Sequence, residues 1–275
     1  MLDRDYRELL EPLRELCEAA GAAILDYYHS ATPTEHDTKS DDSPITAADL
    51  AAHEILVAGL AETGLPVLSE ESNADELQAR RSWQHFWMVD PLDGTKEFLG
   101  RTDEFTINIA LVEGHSARFG MIAVPCSGDI YAGAPGEGAW RYRDGSWDDI
   151  RCRSLSNSEP LVVLTSRRHR GATLEACLDK LSGHQAGVER GYFGSALKFC
   201  LLAEGGADFY PRFSPCSEWD TAAGQALLEA AGGAVLGLDG LPLSYNARES
   251  LLNPHFLALA DPETETWTRC GIFEQ

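Results

Sequence analysis

The stretch HFWMVDPLDGT, residues 85–95, constrains this chain more than any other. A short apolar run bounded by turn residues reads as a strand inside a core, and one that ends in Asp90 must carry that carboxylate to a polar edge of the core. Pro91 fixes a backbone dihedral and forces a turn, bringing Asp93 back towards Asp90 with the Leu92 carbonyl facing the same concavity. Three oxygens then converge. Gly94 and Thr95 follow, and a helix starting there would point backbone N–H groups at a phosphate. The same residue types also suit a plain surface reversal, so the reading depends on what else in the chain could meet them.

Two further segments could. LPVLSEES places Glu70 and Glu71 at the end of a second apolar run, and EWDTAAG places Asp220 at the start of a helix. Taken singly, each acid also fits a surface position or a helix cap. Together they are separate sources of oxygen at element ends, and oxygen-only ligands suit a hard cation such as Mg²⁺. The two residues between Asp90 and Asp93 exclude an EF-hand loop, which alternates its acids and closes on a glutamate. They also exclude the D-x-D-G-T pattern of phosphatases that use a covalent aspartate.

Charge points the same way. In 275 residues, 44 Asp and Glu stand against 22 Lys and Arg, a net charge of −22. That field disfavours nucleic acid as a partner, and an anionic substrate would need local cations, for which bound metal is the obvious source. Apolar residues at 44% suffice for a core of one large or two ordinary domains. Seven cysteines, at 17, 126, 152, 177, 200, 216 and 270, are scattered without paired C-x-x-C spacing and read as reduced, mostly buried thiols. The opening MLDRDYRELLEPLREL lacks the features of a secretion signal, and no apolar run nears the ~18 residues of a transmembrane segment. The expected location is the cytoplasm, with peripheral attachment at an inner membrane left open.

Periodicity divides the chain softly near residue 155. In 1–155, a long helix is expected over Leu2–Tyr28 with a break or kink at Pro12, and a second helix begins at Thr46, whose side chain with Asp49 makes a capping-box-like start. A β-rich stretch of hairpins follows from EFTINIALVEG to the DGSWDD turn. In 156–275, LVVLTS, ADFYPRF, AVLG and HFLALA read as strands, and TLEACLDKL, SALKFCLLAEG and WDTAAGQALLEAAGG as helices. The expected class is α+β in the first half and α/β in the second. His53 and His115 read as packing or surface residues.

Lysine is used only at 39, 96, 180 and 198, which draws attention to Lys198 in ALKFC. It lies on a helix that Ser195 could cap, after Gly194, which permits close backbone approach to a ligand; the alternative is a buried stem with its head in water. Arg212 could grip phosphate bidentately or pair with one of the many acids.

KSDDSPITAAD (39–49), LSEES (68–72), WMVDPLDGTKEF (87–98) and WDTAAG (219–224) resemble, in order and spacing, the motif set of the inositol monophosphatase superfamily, over nearly the whole chain. Within it, GSALKFCLLAEGGADFYPRF (194–213) and TSRRH (165–169) are most similar to the CysQ-type 3′(2′),5′-bisphosphate nucleotidases. The resemblance implies a layered αβαβα sandwich and Mg²⁺-dependent, often lithium-sensitive, hydrolysis of adenosine 3′,5′-bisphosphate to AMP and phosphate. It implies two or three Mg²⁺ per site: Glu70, Asp90 and the Leu92 carbonyl at one, Asp90, Asp93 and Asp220 at a second. Asp41 and Glu71 would lie behind these ligands or at a third ion, or be solvated acids. Glu70 would orient an attacking water with help from Thr95, whose hydroxyl would pair with Asp49; the alternative for Asp49 is a helix-start acid alone. Gly94, Thr95, Gly194, Ser195, Lys198, Arg212 and Asp220 would contact substrate, as would Ser166, Arg167 and His169 in a nucleotide-contacting loop. The alternatives are an inositol-phosphate or broad sugar-phosphate phosphatase on the same scaffold and, in another class, a non-catalytic metal-binding protein.

Overall fold

The structure, a computed structural model, describes residues 5–30, 36–38, 44–156, 158–167, 171–182 and 186–269. After a 3-10 turn at Tyr6–Leu9, helix α1 runs Leu10–Tyr28. Pro12 falls in its first turn, where a missing N–H loses no helical bond, so the helix that begins at Leu10 runs through this proline without a break. Strands β1 (His36–Thr38) and β2 (Pro44–Thr46) form a small antiparallel ribbon that leads into α2 (Ala47–Ala61). The expected capping box is present: the Thr46 hydroxyl accepts from the Ala48 and Asp49 N–H groups, and Asp49 accepts from the Thr46 N–H.

Next come β3 (Val67–Ser69), α3 (Ala74–Ala79), β4 (His85–Asp93) and α4 (Thr95–Leu99). A meander follows through β5 (Thr106–Glu113), β6 (Ser116–Val124), β7 (Asp129–Ala134), β8 (Gly138–Arg143) and β9 (Ser146–Ile150). Strands β3 to β9 line up in chain order as one seven-stranded sheet, parallel only between β3 and β4. At the β8–β9 hairpin Asp144 and Gly145 both take positive φ, 53° and 86°, as a two-residue Asp-Gly turn requires.

The second half builds β10 (Leu161–Thr165), α5 (Ala172–Ser182), β11 (Val188–Tyr192), α6 (Leu197–Ala203), β12 (Phe209–Arg212), α7 (Ala222–Ala230), β13 (Ala234–Gly237), β14 (Phe256–Leu259) and α8 (Thr266–Arg269). Its five strands are ordered β11-β10-β12-β14-β13, with β10 parallel to both neighbours and β14 antiparallel to both of its own. The α/β expectation therefore holds only for the β10 side of a mixed sheet. Strand β11, VERGY, is an edge strand with no fully buried side chain, so it carries no apolar alternation to read.

Alternating faces of the strands assemble the layers. Trp87, Val89, Ile109 and Leu111 face α1 and α2, packing with Leu13, Ile24 and Leu56. Phe86, Met88, Ala110 and Val112 face the other way, onto Phe199 and Leu202 of α6 and Ala223 and Leu227 of α7. The second sheet closes this same cluster with Leu164, Tyr210, Val235 and Phe256, and turns Leu161, Val163, Phe209 and Leu257 outward to Leu178 of α5 and Trp267 of α8. The order is α/β/α/β/α. Helix α7 lies against bare backbone: a Cβ on Gly120 would stand 2.2 Å from the Ala223 carbonyl oxygen, and one on Gly133 would stand 2.7 Å from Leu227 Cα. The six described cysteines are free thiols, and no described helix is long and apolar enough to cross a membrane.

Candidate active site

Residues three apart on a regular strand point to opposite faces. On β4, however, Asp90 pairs with Asn108 and Asp93 with Thr106, so three steps on one strand match two on its neighbour. That extra residue is a β-bulge, and it returns Asp93 to the side of Asp90. The turn expected at Pro91 is thus a bulge inside a strand that continues to Asp93, a position where a missing N–H is tolerated. Asp90 Oδ1 accepts the Leu92 N–H at 3.0 Å and pins the bulge.

Two other segments close on it. The Glu70 N–H donates to the Val89 carbonyl at 3.0 Å, which carries the β3–β4 pairing one residue further and sets the Glu70 carboxyl within hydrogen-bonding reach of Asp90. Asp220 ends a 3-10 turn, Glu218–Asp220, rather than opening α7 directly, and its carboxylate caps that turn by accepting the Ser217 N–H at 2.9 Å. Carboxylate oxygens of Asp90, Asp93 and Asp220 all lie within 4.8 Å of one another.

This crowding is electrostatically expensive. Asp90 is only 1% exposed; burial, then Glu70, Asp93 and Asp220, push its carboxyl well above the usual range. Burial also raises Asp93, to about 6, although Lys198, the Asn108 amide and the Ala196 N–H favour its charged form. Asp220 is raised by burial and then by Asp93 and Glu70. Three acids around one point, with Glu70 beside Asp90, offer oxygen alone and fit a hard divalent cation that would offset their charge.

The hydroxyl of Thr95 lies 3.3 Å from Asp49 Oδ1 while Asp49 Oδ2 caps Thr46, so Asp49 makes both the helix-start bond and the contact with Thr95. Thr95 also approaches the Leu92 carbonyl at 3.5 Å. Gly94 adopts φ 95° at the start of the short α4. Glu71 lies in the turn after β3, beside Ser69, whose hydroxyl accepts its N–H at 3.3 Å.

Lys198 does not keep its head in water. It is 2% exposed, donates to the carbonyls of Ser195 and Phe193 at 2.6 and 3.2 Å, and sits 4.9 Å above the Tyr210 ring. Burial lowers its ammonium to about 8, against the pull of Asp93. Ser195, at φ 45°, caps Leu197 with its hydroxyl. Gly194 has no room for a side chain: a Cβ there would lie 2.5 Å from Glu97 Cγ and 2.9 Å from the Glu104 carbonyl. Arg212 donates to the Ser214 and Pro215 carbonyls at 3.3 and 3.1 Å, and to no carboxylate among the described residues.

Asp93, Ser166, Gly194, Lys198, Arg212 and Asp220 are among the residues lining an open cleft of about 700 Å³. A second compartment of about 680 Å³ adjoins it across Ser166, Tyr210 and Arg212, walled by Leu174, Pro211 and Phe213. Arg167 lines neither: its guanidinium is engaged on both sides by the Glu104 carboxylate, which also accepts the Gly194 N–H at 2.8 Å. His169 and Asp41, like Lys39, fall outside the described residues.

One participant, Asn108, has little to mark it in the sequence. Asn108, 1% exposed, donates to Asp93 at 3.3 Å; a buried amide inside the apolar strand TINIALVE was its only signal. His53 bonds the Ser69 hydroxyl at 2.8 Å and His115 the Tyr245 carbonyl at 2.9 Å, so both histidines tie segments together by polar contacts as well as packing.

The model of the inositol monophosphatase family matches residues 5–267. The chain belongs to the inositol monophosphatase family. Among relatives within reach of this family member, the 3′(2′),5′-bisphosphate nucleotidase CysQ of Salmonella typhimurium is 45% identical over 250 residues, covering 90% of this chain and 98% of that protein. The protein of the same name from Escherichia coli K12 is 43% identical with the same coverage. The crystal structure of CysQ from Bacteroides thetaiotaomicron superposes with a TM-score of 0.78 at 38% identity, covering 91% of this chain and 97% of that one. An inositol monophosphatase from Anabaena superposes at 0.69 with 25% identity, covering 96% and 94%. The family's layered fold is the one expected from the motifs.

Proposed function

We propose that this inositol monophosphatase family member is a 3′(2′),5′-bisphosphate nucleotidase that converts adenosine 3′,5′-bisphosphate to AMP and phosphate, with Mg²⁺, two or three ions per site. The observation that carries the reading is the meeting of Asp90, Asp93 and Asp220, from segments far apart in sequence, within 4.8 Å, at a cleft that the buried Lys198 also lines. Its likeness to the CysQ proteins over 90% of the chain supports the substrate class.

Glu70, Asp90 and the Leu92 carbonyl would hold one ion, and Asp90, Asp93 and Asp220 another; bound there, such ions neutralise phosphate charge and acidify water so that hydroxide is available near neutral pH. Glu70 orients and deprotonates the attacking water, and Thr95, paired with Asp49, fixes its direction. Attack is in line, and no side chain need become covalently modified. Two of the three Lys198 ammonium protons are committed to carbonyls, which leaves one for a phosphate oxygen. Lys198 and Arg212 hold the phosphate that is not cleaved, and the apolar walls of the second compartment take the nucleoside. The free thiols favour a reducing, cytoplasmic setting.

Phosphate release from adenosine 3′,5′-bisphosphate and from inositol 1-phosphate, each with Mg²⁺ and with a chelator, tests this. The expected result is Mg²⁺-dependent preference for the nucleotide, with Lys198→Ala and Arg212→Ala raising KM at least about tenfold more for the nucleotide than for the inositol ester, since each removes a charge-assisted phosphate contact. Equal losses for both substrates would reassign the protein to inositol or sugar phosphates. Undiminished hydrolysis in chelator would reject the metal reading.

A further inference from the structure

Glu218 has no exposed surface and stands two residues before Asp220, on the same 3-10 turn. A carboxylate so placed needs its oxygens satisfied. Glu218 Oε2 accepts the Asn246 N–H at 2.6 Å, and Oε1 accepts from Arg248 Nη2 at 3.1 Å. Asn246, 7% exposed and held at φ 54°, is in turn gripped by Arg80, 4% exposed: the Arg80 guanidinium donates to Asn246 Oδ1 and to the Arg248 and Glu249 carbonyls, and Asn246 Nδ2 returns a bond to the Arg80 carbonyl at 2.7 Å.

The connectivity of this network is what matters. Arg80 lies in the segment between β3 and β4, the strands that deliver Glu70 and Asp90. Asn246 and Arg248 lie in the long connection between β13 and β14, and Glu218 belongs to the turn that delivers Asp220. One buried set of charges and amides therefore joins the two parts of the chain whose carboxylates meet at the cleft. The turn's backbone is tied to the same connection: the Glu218 N–H donates to the Leu251 carbonyl at 2.8 Å, and Asn253 Nδ2 bonds the Ser217 carbonyl at 2.7 Å. The Ser217 N–H is bonded to Asp220 Oδ2, so the Asp220 carboxylate is tied to the position of this turn.

We infer that Glu218 is a positioning residue, which, held by Asn246, Arg248 and Arg80, fixes the Asp220 carboxylate for cation binding without itself touching substrate or metal. The inference rests on the proposed metal-dependent function and assigns to it a residue outside the ligand set. Partners that orient a ligand typically govern about 10–100-fold in metal affinity or activity. Titration of the intact protein with Mg²⁺ alone, followed by calorimetry, is the decisive measurement, with Glu218→Gln as the variant. We expect Mg²⁺ affinity to fall about 10–100-fold and kcat to fall at saturating Mg²⁺, with KM for the nucleotide changed less than about threefold. Affinity within about twofold of the unmodified protein would overturn the inference, even if the melting temperature falls, because a purely structural contact lowers stability and leaves the folded site intact.

Arg248→Gln keeps the question open to test if Glu218→Gln does not fold, since Arg248 is 37% exposed and its loss removes one bond to Glu218. It should weaken Mg²⁺ binding by about three- to tenfold, less than the Glu218 change, and Arg248→Lys should restore most of it. Unchanged affinity in Arg248→Gln would count against the inference. If the unmodified protein itself binds no Mg²⁺, the metal reading fails and this inference falls with it; if it binds and the variants bind equally, only the inference fails.

Discussion

At the scale of single residues, the site is a set of charges that would not be assembled for stability. Asp93 is raised to about 6 chiefly by burial, and it stands among acids that crowd it. Asp93→Asn should therefore lower kcat by more than about 100-fold, beyond the range typical of residues that only orient a ligand. In chelator the same variant should melt at an equal or higher temperature, because it removes one of several carboxylates that repel one another in the metal-free cluster, a repulsion that Lys198 and Asn108 offset only in part. Phosphate release and a thermal melt check both halves; a variant that unfolds globally would mark Asp93 as a structural residue of the bulge. The acids could be read in the sequence because several of them stand together at the ends of apolar runs and at a helix start, although each alone also suits a surface or a cap. Arg167 could not, since its partner Glu104 comes from a different part of the chain and nothing local distinguishes an arginine that will meet phosphate from one that will meet a carboxylate. For Lys198 the scarcity of lysine flagged the residue, but its burial over Tyr210 depended on where α6 would land.

At the scale of elements, the site is made by two irregularities, the bulge in β4 and the 3-10 turn before α7. Both were legible as punctuation: proline between two acids, and an acid before a helical run. Their geometry was not, because a bulge is defined by what the neighbouring strand does, and β5 supplies that register. Helix α7 then carries the Asp220 turn on its N-terminal end and is seated on Gly120 with no room for a side chain. Gly120→Ala should push α7 off the sheet, with a stability loss of about 3 kcal/mol, at the upper end of what overpacking usually costs, read as a lower urea midpoint. Activity should fall with it as Asp220 moves. An unchanged midpoint would mean that the sheet yields there at little cost. Edge strand β11 illustrates the opposite limit: where no side chain is fully buried, the period-two pattern that reveals a strand is absent.

At the scale of the whole molecule, the division near residue 155 separates two sheets but not two cores. Phe86, Met88 and Val112 of the first sheet share one cluster with Phe199, Leu227 and Phe256 from beyond it. Residues 1–155 produced alone should consequently lack a cooperative unfolding transition and a near-ultraviolet dichroism signal, because one face of the seven-stranded sheet loses its cover. A sharp two-state melt of that fragment would show that the first half is self-sufficient. The sequence by itself determined the alternation of apolar and polar positions, hence most strands and helices, the acidic balance, the capping of α2 and which carboxylates stood at element ends. These are local properties, carried by neighbours one to four residues away. Tertiary structure alone decided that Asp93 shares a side with Asp90, that Lys198 is buried, that Arg167 is paired and that Arg80 and Glu218 belong to one network. Those outcomes depend on the distance between atoms far apart along the chain, and only the packing of the two sheets around α6 and α7 sets that distance.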